Sequence, residues 1–429
     1  MKNTTLKLII LSFLQFAVWG AYLTSMGSYL ASAGFGSKIW LFFATQGFVS
    51  IFMPALAGIV ADKWIPAQKV LSICHAVAGA SMLALAWYAM SAGSGAQFGI
   101  FYALYTLSVA FYMPTIAISN SVAFNALEVS GKDPVKDFPP IRVFGTVGFI
   151  CSMLFVNFVR NAEGIQFQNS YEQFFVSGIL SIVLTLYALT LPNCPCKPKG
   201  EGTQSFAEAT GLSAFKLFKE SKFAIFFIFS MLLGAALQIT NGYANTFIKS
   251  FQGNPLFADT WGANNANALI SISQISETLC ILLIPFFMKR FGIKKVMLIA
   301  MFGWVLRFGF FGIGNPGSGV WLFVLSCIVY GVAFDFFNIS GSLFVNENVD
   351  TGIRSSAQGL FMLMTNGVGA SLGTWVAGLV VNHFVADTAA YDPDWRTVWL
   401  IFAAYALVVA ILFAILFKYK HEPKKTFGN

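Results

Sequence analysis

The sequence predicts an all-α membrane protein with twelve transmembrane helices in two six-helix halves. Of its 429 residues, 57% are hydrophobic and 10% charged, against about 45–50% and about 25% in soluble domains. With 47 Phe and a mean hydropathy of +0.71, the chain has more apolar surface than one aqueous core could bury. Its long apolar runs fit helical spans rather than the short alternating segments of a barrel. This pattern excludes an ordinary soluble enzyme, and we predict no catalytic residues and no covalent chemistry.

Twelve apolar runs bounded by charges or by Gly and Pro turns are the predicted spans. The first run is too long for the hydrophobic region of a signal peptide, about 7–15 residues, and is therefore interpreted as a span. In order, the spans cover 5–32, 38–61, 68–91, 97–127, 138–159, 171–191, 223–248, 264–288, 294–313, 319–346, 355–384 and 397–417.

The distribution of basic residues predicts the topology. An even number of spans places both termini on one side, and 21 of the 26 Lys and Arg residues fall on that side, with four in the opposite loops. The positive-inside rule then places both termini in the cytoplasm. This asymmetry also accounts for the net charge of +8, so we predict no nucleic-acid partner.

One long polar stretch divides the chain into comparable halves. We predict an N-terminal six-helix bundle at 1–192, a cytoplasmic linker at 193–222 and a C-terminal six-helix bundle at 223–429. A faint internal similarity supports a repeat, since Gly20-Ala21-Tyr22-Leu23 matches Gly234-Ala235-Ala236-Leu237. Two parallel six-span halves around a midplane site are the organisation of major facilitator transporters.

Two chemical features are interpreted as structural. Cys194 and Cys196 flank a proline without a second pair to complete a tetrahedral metal site, so we predict no metal site. His75, the only histidine well inside a span, is expected to hydrogen-bond to a neighbouring helix.

Polar residues inside the spans are the candidate functional groups, because each ionisable group there costs at least about 2.5–3.5 kcal/mol. Gln274 and Glu277 are three residues apart, so an amide and a carboxylate share one helix face. Gln238, Asn241 and Asn245 form a stripe of amides in the seventh span. Such amides either bond helices to each other or line a polar cavity.

The tenth span combines aromatic rings with an acid. Tyr330 and Phe334 are one turn apart and can stack on a flat ring, or they can simply fill a core, and Asp335 is adjacent. We expect Asp335 to carry a coupled proton and Glu277 to bind substrate, with Glu277 as the second candidate for the proton. A close ion pair with Arg307 would make Asp335 a poorer proton carrier.

The fifth span carries a cation, a hydroxyl and an aromatic ring on one face, at Arg142, Thr146 and Phe149. Arg142 is alternatively a membrane-end anchor. Together the faces suit a neutral, flat, hydrogen-bonding solute. A sugar would use the amides and the carboxylate, whereas a nucleobase would also use the aromatic faces.

At these residues the sequence resembles the bacterial nucleoside:proton symporter family of the major facilitator superfamily. The segments that carry the resemblance extend over most of the chain and are FMPALAGIVADKW (52–64), DFPPIRVFGTVGF (137–149), FFIFSMLLGAALQITN (226–241), SISQISETL (271–279), VYGVAFDFFNISGS (329–342) and AQGLFMLMTNG (357–367).

The resemblance implies an inner-membrane importer that takes up nucleosides such as uridine and adenosine with a proton by alternating access. It implies no cofactor besides the coupled proton and no obligate protein partner, with Asp335 in proton coupling. The alternatives are a sugar:proton symporter and a membrane nucleoside receptor that does not transport. The implied nucleoside contacts are Arg142, Thr146, Phe149, Gln238, Asn241, Gln274, Glu277, Tyr330 and Phe334.

Overall fold

The computed structural model describes residues 2–196, 212–350 and 353–419. Residues 197–211 of the predicted linker lie outside this part of the chain. So do the basic residues at 197, 199, 420, 424 and 425 that entered the topology count. The described residues are nearly all helical, and the β pairing recorded among them is one isolated bridge between Arg160 and Gln166.

The main helices are numbered α1 to α12 in chain order. They are α1 (Lys2–Gly20), α2 (Ile39–Lys63), α3 (Ala67–Ala92), α4 (Phe98–Val129), α5 (Pro134–Phe158), α6 (Glu172–Ala188), α7 (Ser221–Ser250), α8 (266–291), α9 (293–313), α10 (Val320–Asn348), α11 (354–384, with a π-helical segment at Leu363–Gly369) and α12 (Trp395–Leu416).

The α8–α9 junction is a break inside one long helical stretch, Ala266–Ile313, at Gly292. Gly292 has φ 74° and ψ 168°, a backbone conformation that is essentially restricted to glycine. With this stretch counted as one helix, nine helices of the described chain are long and apolar enough to cross a membrane. Helices α1 and α6 are also apolar but shorter, which brings the number of apolar helices in that part of the chain to eleven. The break adds the twelfth segment, as the sequence predicts.

The first predicted span, 5–32, is wrong as one continuous helix. Helix α1 ends at Gly20, a turn follows, and a short helix covers Met26–Leu30. Gly20 lies against the Phe149 carbonyl and the Ser152 hydroxyl of α5, where a Cβ would collide. Hydropathy alone does not report such an interruption, because the turn residues are apolar as well.

Residue contacts divide the chain into two compact units. One comprises Met1–Lys38 with Phe48–Phe206, and the other comprises Ile39–Gly47 with Ala207–Asn429, in so far as their residues are described. The first turns of α2 thus group with the second unit, which the sequence did not predict.

The predicted limits of the halves, 1–192 and 223–429 with a linker at 193–222, stay a prediction. Within each unit, however, the helices pack in corresponding pairs. In the first unit α1 packs against α5, and α3 packs against α4 and α6. In the second unit α7 packs against α11, and the α8–α9 stretch packs against α10 and α12. Adding six to each helix number relates the two patterns, which is what a repeat of six helices requires.

A buried hydrogen-bond network joins four helices of the first unit. His75 of α3 is fully buried, with Nε2 2.9 Å from Gln15 Oε1 on α1 and Nδ1 3.0 Å from Ser181 Oγ on α6. Gln15 Nε2 donates to Thr115 Oγ1 of α4 at 2.7 Å. His75 therefore bonds neighbouring helices, as predicted.

The segment that follows α6 is fastened to the start of α3. Gln68 Nε2 donates to Asn193 Oδ1 at 2.6 Å, and the Cys194 backbone N–H donates to Gln68 Oε1 at 2.9 Å. Burial raises the pKa of the Cys194 thiol, so this thiol stays protonated and weakly nucleophilic. The contacts agree with a structural role for Cys194.

Substituting Gly292 tests the break between α8 and α9. Gly292→Ala should destabilise the protein by about 1–3 kcal/mol, because alanine is strained in this conformation. The measurement is the thermal unfolding midpoint in detergent. Gly309→Ala in α9 is the matched control, since a Cβ there meets nothing within 4 Å and alanine favours helix. Equal midpoints for the two variants would contradict the assignment of a glycine-restricted backbone conformation to Gly292.

Candidate functional site

The second unit holds an aromatic pair on α10. The rings of Tyr330 and Phe334 are stacked, with centroids 5.8 Å apart and an interplanar angle of 12°. Trp304 of α9 meets Tyr330 edge-on at 5.9 Å. Tyr330 is buried, whereas Phe334 is half-buried and lines a small cavity. Tyr330 is thus held in place by packing, and Phe334 borders the small cavity.

Both predicted acids lie around this aromatic pair. Glu277, Arg307 and Asp335 all interact electrostatically with the Tyr330 phenol, and Glu277 interacts with Asp335 as well. Helices α8 and α10 approach closely here, because a Cβ on Gly331 would lie 2.7 Å from the Glu277 backbone nitrogen. The two carboxylates predicted from separate spans therefore belong to one cluster.

The environments of the two carboxylates differ. Asp335 is 5% exposed, and its Oδ2 is buried without a hydrogen-bond partner in the described part of the chain. Glu277 is half-buried. A buried carboxylate oxygen without a donor is costly for the charged form, so the geometry is compatible with a group that gains and loses a proton.

The amide residues fall into two groups. Gln238 of α7 and Gln274 of α8 are each 9% exposed, and the Oε1 atom of each is buried without a partner among the described residues. Asn241 is half-buried. Asn245, by contrast, donates from Nδ2 to Asn267 Oδ1 at 2.8 Å and joins α7 to α8. The predicted amide stripe thus ends in a helix–helix contact at Asn245.

Arg307 of α9 is fully buried and connects three other helices. Its Nε donates to Thr240 Oγ1 of α7 at 3.3 Å, and its Nη1 donates to Ser273 Oγ of α8 at 3.2 Å and to the Ser326 carbonyl of α10 at 2.8 Å. The guanidinium carbon lies 4.6 Å from the centroid of the Tyr330 ring, which is within cation–π range. The guanidinium is therefore held behind the aromatic pair.

The ion pair between Arg307 and Asp335 that the sequence analysis considered does not form among the described residues. The guanidinium donates to two hydroxyls and a carbonyl instead. These neutral acceptors bond Nε and Nη1, and Nη2 is buried without a partner among the described residues. Because no ion pair with Asp335 forms there, the condition that would have weakened Asp335 as a proton carrier is not met.

The first unit presents the predicted face on α5. The Arg142 guanidinium lies 3.8 Å above the ring of Phe16 on α1, and the Phe149 ring meets Trp19 of α1 edge-on at 6.4 Å. Arg142 and Thr146 are half-buried, and Phe149 is 8% exposed. Arg142 is thus stacked inside the unit on α1.

Several cavity residues are absent from the predicted set. Asn338 and Asn366 line the same small cavity as Phe334 and Trp304, and Asn338 Nδ2 donates to the Phe334 carbonyl at 3.2 Å. Asn338 follows Phe334 by one helical turn, and that spacing is the sequence signal that could have found it. The others come from different helices, so only packing reveals them.

Comparison with known proteins gives the family. The model of the family "Nucleoside H+ symporter" matches residues 1–422. The chain is 48% identical to the nucleoside permease NupG of Escherichia coli K12, over 98% of this chain and 97% of that one. It is 46% identical to the xanthosine permease of the same organism, over 99% of this chain and 98% of that one.

Solved structures agree with these matches. The crystal structure of the nucleoside transporter NupG superimposes with a TM-score of 0.86 at 46% identity and covers 97% of this chain and 100% of that chain. The D-xylose-proton symporter shares the fold, with a TM-score of 0.69 at 15% identity and 98% of both chains covered. With a family match over nearly all of its length, this multi-pass membrane protein belongs to the nucleoside H+ symporter family.

Proposed function

We propose that this protein imports nucleosides such as uridine and adenosine across the bacterial inner membrane, each with a proton, by alternating access. The observation that carries the proposal is the cluster of Glu277, Asp335 and the stacked Tyr330–Phe334 pair inside a member of this family. The cluster combines an aromatic face for a base with carboxylates for hydroxyls and for a proton.

The side chains of the site would divide the work by chemistry. Phe334, with Tyr330 stacked behind it, contacts the nucleobase, and Phe149 of α5 is a further proposed aromatic contact. The ribose hydroxyls and base edges bond to the remaining polar groups, which are Arg142, Thr146, Gln238, Asn241, Gln274 and Glu277. The buried, unpartnered amide oxygens of Gln238 and Gln274 support this role, because unpaired buried acceptors favour a ligand that supplies donors.

Asp335 would carry the proton. Its orphaned Oδ2 supports this assignment, and so do the neutral groups that occupy Arg307. Glu277 would accept a hydrogen bond from the substrate. Both termini would lie in the cytoplasm, as the distribution of basic residues predicts.

Asp335→Asn should abolish accumulation and leave nucleoside exchange intact, because asparagine cannot carry a proton. Labelled uridine is measured in proteoliposomes with an inward proton gradient, with and without a protonophore. A gradient of one pH unit can drive at most about tenfold accumulation with one proton per nucleoside, and the variant should only equilibrate. Exposed Asp259→Asn is the matched control. Saturable binding without accumulation in the unsubstituted protein would instead favour the receptor alternative.

Phe334→Ala should separate a nucleoside carrier from a sugar carrier. Base–aromatic stacking contributes about 1–3 kcal/mol, so the uridine Kd should rise about 5- to 150-fold. Ribose affinity should hardly change, because ribose has no flat ring. Both affinities are measured by competition binding, and Phe286→Ala, which removes an exposed ring, is the control. Equal losses for uridine and ribose would contradict stacking on Phe334.

Arg307→Lys should raise the uridine KM about tenfold with a smaller change in kcat. An ammonium cannot reproduce the planar fork that bonds Thr240, Ser273 and Ser326 beneath Tyr330. Transport kinetics and the thermal midpoint are measured together, with Arg160→Lys in an exposed turn as control. A lower midpoint with an unchanged KM would show that Arg307 supports folding only.

A further inference from the structure

A short helix directly before α7 has three distinct sides. Residues Leu212–Lys219 form a 3-10 helix, which has three residues per turn, so side chains at i and i+3 lie above one another. Ala214 and Leu217 form one side and are buried, at 0% and 6% exposure. This side fastens the helix to α7 and to the first turns of α11.

The other two sides are largely exposed, although Phe218 at the end of the apolar side stacks on Phe227 of α7 at 5.5 Å. Leu212 and Phe215 form an apolar row that is 45% and 42% exposed, and Phe215 stacks on Phe218 at 5.5 Å. Lys216 and Lys219 form a basic row beside it, and both are exposed. An exposed apolar row next to a basic row is the pattern of a helix that lies in a membrane interface.

The helix lies at the membrane end of the spanning helices. Only Glu220 separates it from α7, the apolar span that begins at Ser221. One residue further, Lys222 Nζ hydrogen-bonds Asn348 Oδ1 at the last residue of α10. One end of each of these two spans therefore lies beside the short helix.

We propose that the exposed sides of Leu212–Lys219 bind the surface of an anionic phospholipid bilayer. Leu212 and Phe215 would enter the acyl boundary, and Lys216 and Lys219 would contact the phosphates. Charge complementarity selects this partner, because the exposed Lys216 and Lys219 outnumber the single acid Glu220 at 212–220. Basic residues beside a span recognise anionic lipid headgroups through the same attraction. The inference is independent of which solute the protein carries.

Lipid contact is tested with a fluorophore on the apolar row of the full-length protein. Cys151 and Cys196 are replaced by Ser, which leaves four buried cysteines, and Phe215→Cys is labelled with a polarity-sensitive dye. In phosphatidylcholine vesicles containing phosphatidylglycerol, the emission should shift to the blue and brominated lipid should quench it at least twofold. A dye at Asp133→Cys, in the exposed turn before α5, is the matched control and should show neither effect.

The charge requirement is tested on the same labelled protein. Lys216→Gln with Lys219→Gln should remove at least half of the phosphatidylglycerol-dependent quenching, whereas Lys69→Gln with Lys136→Gln, two other exposed lysines, should not. Equal quenching with and without phosphatidylglycerol would overturn the proposal of anionic recognition. A blue shift without lipid quenching would mean that protein covers this face. A blue shift that grows with the protein density in the vesicles would mean that a second copy of the protein covers this face. Either of these last two results would also overturn the proposal.

Discussion

The second unit depends on how one buried cation is satisfied. A guanidinium inside membrane-spanning helices is costly unless its N–H groups are bonded. Arg307 bonds three helices through Nε and Nη1, while its Nη2 is buried without a hydrogen-bond partner in the described part of the chain. Thr240 lies between Gln238 and Asn241 in sequence, and Ser273 precedes Gln274. The residues that hold the cation therefore alternate with the residues proposed to hold the substrate. The same helix packing thus binds the Arg307 guanidinium and positions the proposed substrate contacts.

The two units solve the problem of buried polarity differently. In the first unit the central group is His75, whose two ring nitrogens are both bonded to neighbouring helices, so a neutral ring satisfies the network. In the second unit the central group is the cation Arg307, and both membrane-embedded acids lie near it. The two carboxylates proposed to bind substrate and proton thus lie in the second unit.

The sequence predicted most of the fold because long apolar runs and their charged boundaries report spans directly. It placed the break near Gly292 correctly and failed at the turn after Gly20, where apolar residues continue through a helix end that close packing on α5 imposes. Residue types along one helix face also predicted Tyr330 with Phe334. Contacts between distant helices, such as Arg307 with Thr240, could not be predicted, because no local spacing encodes them.

The two acids of the cluster suggest how substrate and proton are coupled. Glu277 and Asp335 interact electrostatically, so the charge on one carboxylate affects the other. In the proposed site, a nucleoside hydroxyl bonded to Glu277 would stabilise the charged form of this carboxylate, and a proton on Asp335 would reduce the repulsion felt by Glu277. Such coupling is reciprocal in free energy, so a proton that strengthens nucleoside binding is itself bound more tightly when the nucleoside is present. In this proposal, one pair of side chains on α8 and α10 would link nucleoside binding to proton binding.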